Sequence, residues 1–203
     1  MKLLMKLILA LFLIPLATLP AGEREDRAVQ LVKKLGGGVD RDESAPGRPV
    51  IVVYLAHAKL TRSDLKQLAK ELAGLKELHR LDLFDANVTD AGLKEIAALK
   101  QLQWLELSGT RVTDAGLKHL AALQELRELE LESTAVTDAG LRELAALKKL
   151  EQLNLCFTKV TDVGLRQLTM LKELRVLRVG ETQVSETGIN DLKKALPKCR
   201  IVR

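Results

Sequence analysis

Histidine and cysteine supply many catalytic and metal sites, and this chain has few of either. Its 203 residues include three histidines, His57, His79 and His119, and two cysteines, Cys156 and Cys199. The histidines fall in a predicted turn, strand and helix, share no metal-ligand spacing, and have no nucleophile arrangement beside them. We therefore predict no catalytic residue, no metal site and no cofactor.

The two cysteines are not expected to form a disulfide. Cys199 takes the place of a core leucine on the last strand, whereas Cys156 follows Leu155 and should point away from the core. Their strands lie two coils apart, roughly 9–10 Å at normal strand spacing, and a disulfide seldom joins Cα atoms more than about 7 Å apart. We expect Cys199 to pack in the core and Cys156 to be a surface thiol.

The elements that position these residues follow from a repeat of 24 residues. Five glycines mark it: Gly92, Gly116, Gly140, Gly164 and Gly188. The phrase Val-Thr-Asp-Ala-Gly-Leu recurs around them, at Val112–Leu117 and again at Val136–Leu141. A fixed period of this length is typical of a solenoid of stacked units.

Each unit is predicted to contain a strand, a turn and a helix. In the copy from Leu102 to Leu123, Leu105 and Leu107 have the two-residue spacing of a strand. Thr113 can cap the following helix, and Asp114 would complement the positive end of its dipole. The later leucines recur at helical spacing and predict a helix of about three turns.

An aspartate stands at the start of each regular helix: Asp90, Asp114, Asp138 and Asp162. A calcium ladder is one interpretation of this column. Calcium, however, needs roughly six to eight oxygens that converge on one ion. Complementing each helix N-terminus is the simpler role, and we favour it.

The phrase L-x-x-L-x-L-x-x-T-x-V-T-D-x-G-L-x-x-L-A-x-L resembles the leucine-rich repeat family over roughly residues 50–203. Its T-D-x-G-L helix start is similar to a subtype found in F-box adaptors and in bacterial secreted proteins. The resemblance implies an α/β solenoid, a horseshoe with a parallel sheet on the concave face and helices on the convex face. An F-box adaptor role is not expected, because the chain has no F-box-like segment.

Threonine fills the turn position in which F-box relatives often have cysteine or asparagine. The position is occupied by Thr110, Thr134, Thr158 and Thr182, and by Ala58 and Ala86 in earlier copies. Alanine has no hydroxyl to bond the turn backbone. The ladder of threonine hydroxyls is therefore expected to be incomplete.

Strand phrases predict about six coils and a short terminal strand. They lie at Val50–Leu55, Leu78–Leu83, Leu102–Leu107, Leu126–Leu131, Leu150–Leu155, Leu174–Val179 and Cys199–Ile201. The first helix, near Ser63–Leu75, should carry four extra residues, about one turn. The final coil, with Pro197 after Leu196, is expected to be shortened. Irregular end units are expected because they cap the core.

Residues 1–21 are predicted to be a signal peptide. Lys2 and Lys6 precede the apolar run Leu7–Leu19, which is too short for a confident membrane span. The expected location is therefore secreted or periplasmic, with cleavage near Ala21. The alternative is an uncleaved anchor, and membrane contact is expected only in that case.

Residues 22–49 are predicted to be an N-terminal cap. An amphipathic helix over Glu23–Leu35 should cover the first coil, and Gly36–Gly38 should end it. Asp40–Pro49 is predicted to be a loop that leads into the first strand. A partner-binding role for the helix is the alternative that the pattern leaves open.

The outward column of the predicted sheet differs from repeat to repeat. It contains Tyr54, Asp82, Glu106, Glu130, Asn154, Arg178 and Arg200, and neighbouring columns add Phe84, Trp104, Glu128, Glu132, Arg175 and Val176. The sheet face should run from acidic to basic, with the only tryptophan exposed among the acids. A solvated polar face, which any solenoid needs, is the alternative to a protein-binding surface.

We expect a non-enzymatic, exported, monomeric protein that binds a protein or peptide through the sheet face. The expected ligand-binding residues are Tyr54, Asp82, Phe84, Trp104, Glu106, Glu130, Asn154 and Arg178. The net charge is only +5, with no basic run and 2% aromatic residues, so nucleic-acid binding is not expected. The alternatives are a structural envelope component held by an uncleaved N-terminal helix and, third, an exported enzyme.

The strand register gives the first testable prediction. Leu129 should face the core at the middle of the solenoid, so Leu129→Lys would bury an unpaired charge at a cost on the order of several kcal/mol. We expect insolubility or loss of cooperative thermal unfolding. A variant that keeps the parent's thermal midpoint would show that the register is wrong.

Overall fold

The strands form one eight-stranded sheet in which each strand lies beside its neighbours in the sequence. The computed structural model describes residues 21–203. The strands are β1 Gly38–Arg41, β2 Val50–Tyr54, β3 Arg80–Asp82, β4 Trp104–Glu106, β5 Glu128–Glu130, β6 Gln152–Asn154, β7 Val176–Arg178 and β8 Arg200–Val202. Pairing is parallel from β2 to β8. This is the α/β leucine-rich repeat solenoid predicted from the sequence.

The helices alternate with these strands and are shorter than expected. They are α1 Ala21–Lys34, α2 Arg62–Leu72, α3 Asp90–Ile96, α4 Asp114–Leu120, α5 Asp138–Leu141, α6 Asp162–Gln167 and α7 Glu186–Ala195. Short 3₁₀ turns follow α5 and α6, at Arg142–Ala146 and Leu168–Met170. The seven residues of α4 make about two turns rather than three, because the chain must return to the sheet within the same period. The 11 residues of α2 confirm the four-residue insertion in the first coil. None of the helices in residues 21–203 is long and apolar enough to cross a membrane.

The core is a stack of aliphatic side chains with one register throughout. The middle residues of the parallel strands pair in sequence and are fully buried: Leu81, Leu105, Leu129, Leu153 and Leu177. Leucines from the helices complete each layer. The burial of Leu129 confirms the strand register that the sequence predicts.

The N-terminal cap contains a strand that the sequence pattern missed. Asp40 and Arg41 belong to β1, which pairs antiparallel with β2, so the loop predicted over Asp40–Pro49 is wrong in its first part. An unpaired β2 would expose its backbone donors and acceptors, and β1 covers that edge. A buried ion pair of 2.9 Å between Arg27 and Glu71 joins α1 to α2. The predicted signal peptide lies outside the described residues, except for Ala21, which begins α1.

The final coil is not shortened, contrary to expectation. Leu177 pairs with Ile201, which keeps the 24-residue period of the other coils. Pro197 lies in the turn after α7, where it ends the helix without removing residues from the coil. The 10 residues of α7 make it longer than the helices of the central coils.

The aspartate column joins each coil to the next. The carboxylate of Asp114 accepts hydrogen bonds from the backbone nitrogen of Thr137 at 2.8 Å and from its hydroxyl at 2.7 Å. The same pair of bonds recurs between Asp90 and Thr113, Asp138 and Thr161, and Asp162 and Ser185. Each aspartate is the first residue of its helix, as expected, but its carboxylate binds the neighbouring coil.

This contact also explains four of the five periodic glycines, whereas a Cβ atom on the fifth, Gly92, would meet the side chain of Leu65. A Cβ atom on Gly140 would lie 2.4 Å from Oδ1 of Asp114, so any larger residue would push this carboxylate out of place. Gly116, Gly164 and Gly188 meet the preceding aspartate in the same way, at 2.1–2.4 Å. The glycines are therefore required by close approach between coils.

The threonine hydroxyls bond the turns as expected. Thr110 donates to the carbonyl of Leu107 at 2.5 Å, and Thr134, Thr158 and Thr182 repeat this bond at 2.6 Å. Ala86 occupies the same position without a hydroxyl, so the ladder is incomplete, as predicted.

The aspartate contact gives the second prediction. Asp114→Ala should cost about 1–3 kcal/mol of unfolding free energy, because the backbone donor of Thr137 loses its acceptor. Denaturant unfolding measures the change. Asp191→Ala is the matched control, since Asp191 is exposed and pairs with Lys194 of its own helix at 2.9 Å; we expect it to cost less than about 1 kcal/mol. Equal losses in the two variants would contradict a role for Asp114 between coils.

Candidate functional site

The sheet face is formed by strand residues whose side chains point away from the leucine core. One column runs through the last residue of each strand: Tyr54, Asp82, Glu106, Glu130, Asn154, Arg178 and Val202. The assignment of Arg200 to this column is wrong. Arg200 pairs with Val176 in the neighbouring column, because β8 begins one residue later than the strand predicted at Cys199–Ile201.

Aromatic residues gather at the N-terminal end of this face, which we call the aromatic end (Tyr54, Phe84 and Trp104). Tyr54 is 38% exposed, and its hydroxyl donates to Asp40 at 2.5 Å. Phe84 is 43% exposed and meets the ring of His57 edge-on, with 5.4 Å between the ring centroids.

Trp104 is less exposed than the sequence suggested. It is half-buried, and the guanidinium carbon of Arg80 lies 4.6 Å from its ring centroid. Arg80 is the direct neighbour of Trp104 across β3 and β4. The tryptophan therefore presents part of its surface beside a cation that a partner can also contact.

The acidic centre of the face comprises Glu106, Glu128, Glu130 and Glu132. Glu106 accepts a hydrogen bond from the backbone nitrogen of Ser108 at 2.6 Å. The side-chain nitrogens of Gln152 and Asn154 donate to Glu128 and Glu132 at 2.9 and 3.1 Å. Three of these carboxylates lie on the adjacent strands β4 and β5, which are about 4.8 Å apart, and Glu132 follows β5 by two residues.

Two of these carboxyl groups are perturbed by their surroundings. Burial raises the pKa of Glu106, and the charges of Asp82 and Glu132 raise it further, against the opposing hydrogen bonds from Ser108. Burial likewise raises the pKa of Glu130, as does the charge of Glu106, whereas the charge of Arg178 lowers it. For Glu106 and Glu130, the folded structure therefore disfavours the ionised form relative to the protonated one.

Arg178, which together with Arg200 forms the basic end of the face, reaches across the sheet. Its Nη1 lies 3.4 Å from Oε1 of Glu130, although β5 and β7 are separated by β6. Asn154, on the intervening strand, is buried, and its side-chain oxygen accepts from the backbone nitrogen of Cys156 at 3.0 Å. Asn154 is therefore in place to position its neighbours but offers little surface to a ligand.

The remaining candidate residues do not assemble into a site. Cys156 is half-buried and Cys199 is buried, both are free thiols, and burial raises the pKa of each. His57 lies 3.1 Å from Asp85, and His79 precedes β3 rather than lying within it. In the described part of the chain, no group of three or more His, Cys, Asp or Glu residues could hold a metal ion.

Sequence reasoning missed three contacts on this face: Arg80 over Trp104, Ser108 at Glu106, and Arg178 at Glu130. The first was accessible, because Arg80 and Trp104 are 24 residues apart and so occupy the same position in adjacent coils. The contact of Arg178 with Glu130 depends on how far the arginine side chain extends over two strands, and the spacing of residues in the sequence does not predict this.

Comparisons with known proteins agree with this architecture. A leucine-rich repeat family model matches residues 76–97 and 123–145. No curated protein matches the chain. The repeat structure described above and these matches show that the chain belongs to the leucine-rich repeat family. Its T-D-x-G-L subtype stays a prediction.

Three solved structures illustrate the likeness. A leucine-rich repeat protein of Leptospira interrogans is 25% identical, with a TM-score of 0.55, over 72% of this chain and 40% of that protein. An internalin of Listeria monocytogenes is 20% identical, with a TM-score of 0.55, over 93% of this chain and 59% of that protein. The ectodomain of the Arabidopsis receptor kinase HAESA, in complex with an N-terminally extended IDA peptide hormone, is 16% identical, with a TM-score of 0.58, over 88% of this chain and 33% of that protein. The chain thus spans less than two thirds of each of these proteins.

The raised pKa of Glu106 gives a prediction on stability and pH. Because its folded-state pKa lies above the unfolded value, ionisation penalises the folded state at neutral pH, and the penalty disappears as pH falls below the unfolded value. Glu106→Gln keeps an acceptor for Ser108 and should raise the thermal midpoint at pH 7. The difference between the thermal midpoints of the variant and the parent should vanish below about pH 4.

The matched control is Glu143→Gln, which removes the same charge from the helix side. Its thermal midpoint should change little at either pH. A Glu106→Gln midpoint that is lower than the parent's at pH 7 would contradict a penalty for the buried charge of Glu106.

Proposed function

We propose that this protein is a non-enzymatic binding module that holds a protein or peptide segment on its sheet face. The observation that carries the proposal is the position of the aromatic residues. Among the described residues, none of Tyr54, Phe84, Trp104 and Phe157 is buried in the core, which is entirely aliphatic apart from Cys199. Three of them belong to the aromatic end of one face. Aromatic side chains that are not needed for packing are typical anchors of protein interfaces.

The charge distribution supports the same face. The acidic centre lies next to the aromatic end, and Arg178 and Arg200 lie on the last two strands. Such a polarised surface favours one orientation of a charged partner and accelerates its association. The proposed contact residues are Tyr54, Asp82, Phe84, Trp104, Glu106, Glu130, Asn154 and Arg178, of which Asn154 acts through its hydrogen bonds to the neighbouring residues.

The peptide complex of the HAESA ectodomain supports a peptide as one form of ligand. That structure, a member of the same fold class, contains a peptide hormone. Its identity to this chain is too low to carry over a binding residue, so the proposed contacts rest on the geometry of this sheet face.

The proposal includes export, based on the apolar run Leu7–Leu19 after Lys2 and Lys6. Export would place the monomeric binding module in the periplasm or outside the cell. An envelope component held by an uncleaved N-terminal segment is the second candidate, which the same run supports. The mass of the mature protein distinguishes them, because cleavage near Ala21 removes the segment.

The binding proposal is tested by proximity labelling with the mature domain, followed by affinity measurement on the captured partner. Trp104→Ala should weaken binding about thirtyfold, equivalent to ~2 kcal/mol. Glu106→Lys/Glu130→Lys should slow association and change its salt dependence. Neither variant removes a core leucine, so both should stay folded.

The control is Lys118→Glu/Arg142→Glu, which reverses two exposed charges on the helix side. It should leave affinity within about threefold of the parent. If the control alone weakens binding, the partner contacts the helix side and the sheet-face assignment is wrong.

A further inference from the structure

The two edges of the solenoid carry opposite charge. The connections from each helix back to the sheet form one edge, which we call the lysine edge (residues 72–79, 96–103, 120–127, 146–151, 170–175 and 195–199). With histidine counted as neutral, it contains eight lysines and arginines but only four carboxylates. The connections from each strand to the next helix form the other edge (residues 55–62, 83–90, 107–114, 131–138, 155–162 and 179–186), which contains four cations and eight carboxylates.

A row of lysines follows the lysine edge from coil to coil. It occupies one position of the 24-residue repeat in four coils: Lys76, Lys100, Lys148 and Lys172. All four side chains are exposed, and within residues 21–203 none of them forms an ion pair. Two carboxylates of this edge, Glu125 and Glu151, are already paired with other cations. The charge of the row is therefore open to groups outside the chain.

Helix dipoles explain this row only in part. A lysine near a helix C-terminus is stabilised by the dipole, but the effect falls off within the last turn. The helix α2 ends at Leu72, four residues before Lys76, and Lys148 and Lys172 follow the 3₁₀ turns of their coils by two residues. The row thus lies beyond the helices, where an external anion can approach it.

The start of α1 lies at the same edge. Arg24 and Glu25, near the beginning of α1, border one opening together with Gly74 and Lys76. A Cβ atom on Gly74 would lie 4.0 Å from Cδ of Arg24. The chain that precedes α1, which contains the apolar run Leu7–Leu19, therefore joins the described domain at the lysine edge.

An exposed apolar side chain accompanies the lysines. Met170 is 56% exposed and precedes Lys172 by two residues, at a position where residues 98, 122 and 146 of the other coils are alanine. Cations beside an exposed apolar group are typical of contacts with anionic lipid, because the cations attract the lipid phosphates and the apolar group enters the headgroup boundary.

We propose that the lysine edge docks on an anionic phospholipid surface, with the lysine row against the lipid headgroups. The row keeps one height in successive coils, whose strands are about 4.8 Å apart, so several of its charges reach a flat surface together. The apolar run that joins the domain at this edge, and Met170 beside the row, favour a membrane over a soluble polyanion or the acidic edge of a second copy. The inference goes beyond the binding module proposed above, because the sheet face is a separate surface and stays open to its partner.

Vesicle binding by the full chain tests the proposal. The probes are vesicles of phosphatidylcholine alone and vesicles of equal parts phosphatidylcholine and phosphatidylglycerol, at low salt and pH 7. The measured quantity is the ratio of the two partition coefficients. Residues 1–20 contribute equally in the parent and in every variant, so differences between variants report on the described domain. The parent should prefer the anionic vesicles by at least about tenfold and lose this preference at high salt. No preference would overturn the proposal.

Substitutions in the row give a test of sign. Lys148→Gln should lower the ratio about three- to fivefold, and Gln124→Lys, which fills the gap in the row, should raise it by a similar factor. Lys159→Gln is the matched control, since it removes the same charge from an exposed position of the opposite edge, and it should change the ratio by less than about twofold. Equal effects of the two lysine substitutions, or no rise with Gln124→Lys, would leave only attraction by net charge and would overturn the proposal.

Lysine acetylation maps the contact on the unaltered protein. Anionic vesicles should protect Lys100 and Lys148 from acetylation, as measured by mass spectrometry, and leave Lys59 and Lys159 reactive; equal protection of both edges would contradict the docking. Binding of heparin without a preference for anionic vesicles would assign the edge to a soluble polyanion. Salt-sensitive self-association that Lys148→Gln abolishes would assign it to a second copy. Either result overturns the membrane contact and leaves the sheet-face proposal, which depends on Trp104, unaffected.

Discussion

The contact between an aspartate and the cap residue of the next coil sets the geometry of the regular coils. Asp114, for example, holds both the backbone nitrogen and the hydroxyl of Thr137. The contact is so close that the facing position, Gly140, has no room for a Cβ atom. The aspartate, the cap residue and the glycine recur in every regular coil. The same contact therefore fixes the distance between neighbouring coils on the helix side. The parallel strands and the stacked leucines depend on this constant advance. The pKa of Asp162 shows the effect of the contact, since the hydrogen bonds from Ser185 lower it.

A scaffold that is fixed by leucine, glycine and aspartate leaves the outward strand positions free to differ. Glu106, Glu130, Asn154 and Arg178 occupy equivalent positions in successive coils, yet they differ in charge and burial. No packing requirement explains this variation, because the core residues beside them are all leucine. The sheet face is therefore where sequence differences between coils can serve binding, and the aromatic end and acidic centre both lie there.

Sequence reasoning succeeded where a signal was repeated and failed where it occurred once. The core position of Leu129 and the turn hydroxyl of Thr110 were predictable, because successive coils show the same spacing. The end coils have no second copy to compare, so the pattern predicts a loop where Asp40 and Arg41 lie in β1, and it places β8 one residue too early. The side-chain contacts of the site were missed for another reason: the reach of Arg178 to Glu130 depends on its rotamer and on the buried Asn154 between them, neither of which follows from a periodic pattern.

The half-burial of like charges argues against an ordinary solvated surface. A polar sheet face that only keeps the solenoid soluble would expose its carboxylates to water, where their pKa values would stay near those of free glutamate. Glu106 and Glu130 instead have raised pKa values, with burial as the largest cause in both. Glutamine in place of Glu106 would keep an acceptor for Ser108 and remove the buried charge, so stability alone gives no reason for glutamate there. Local conflict of this kind is typical of functional sites.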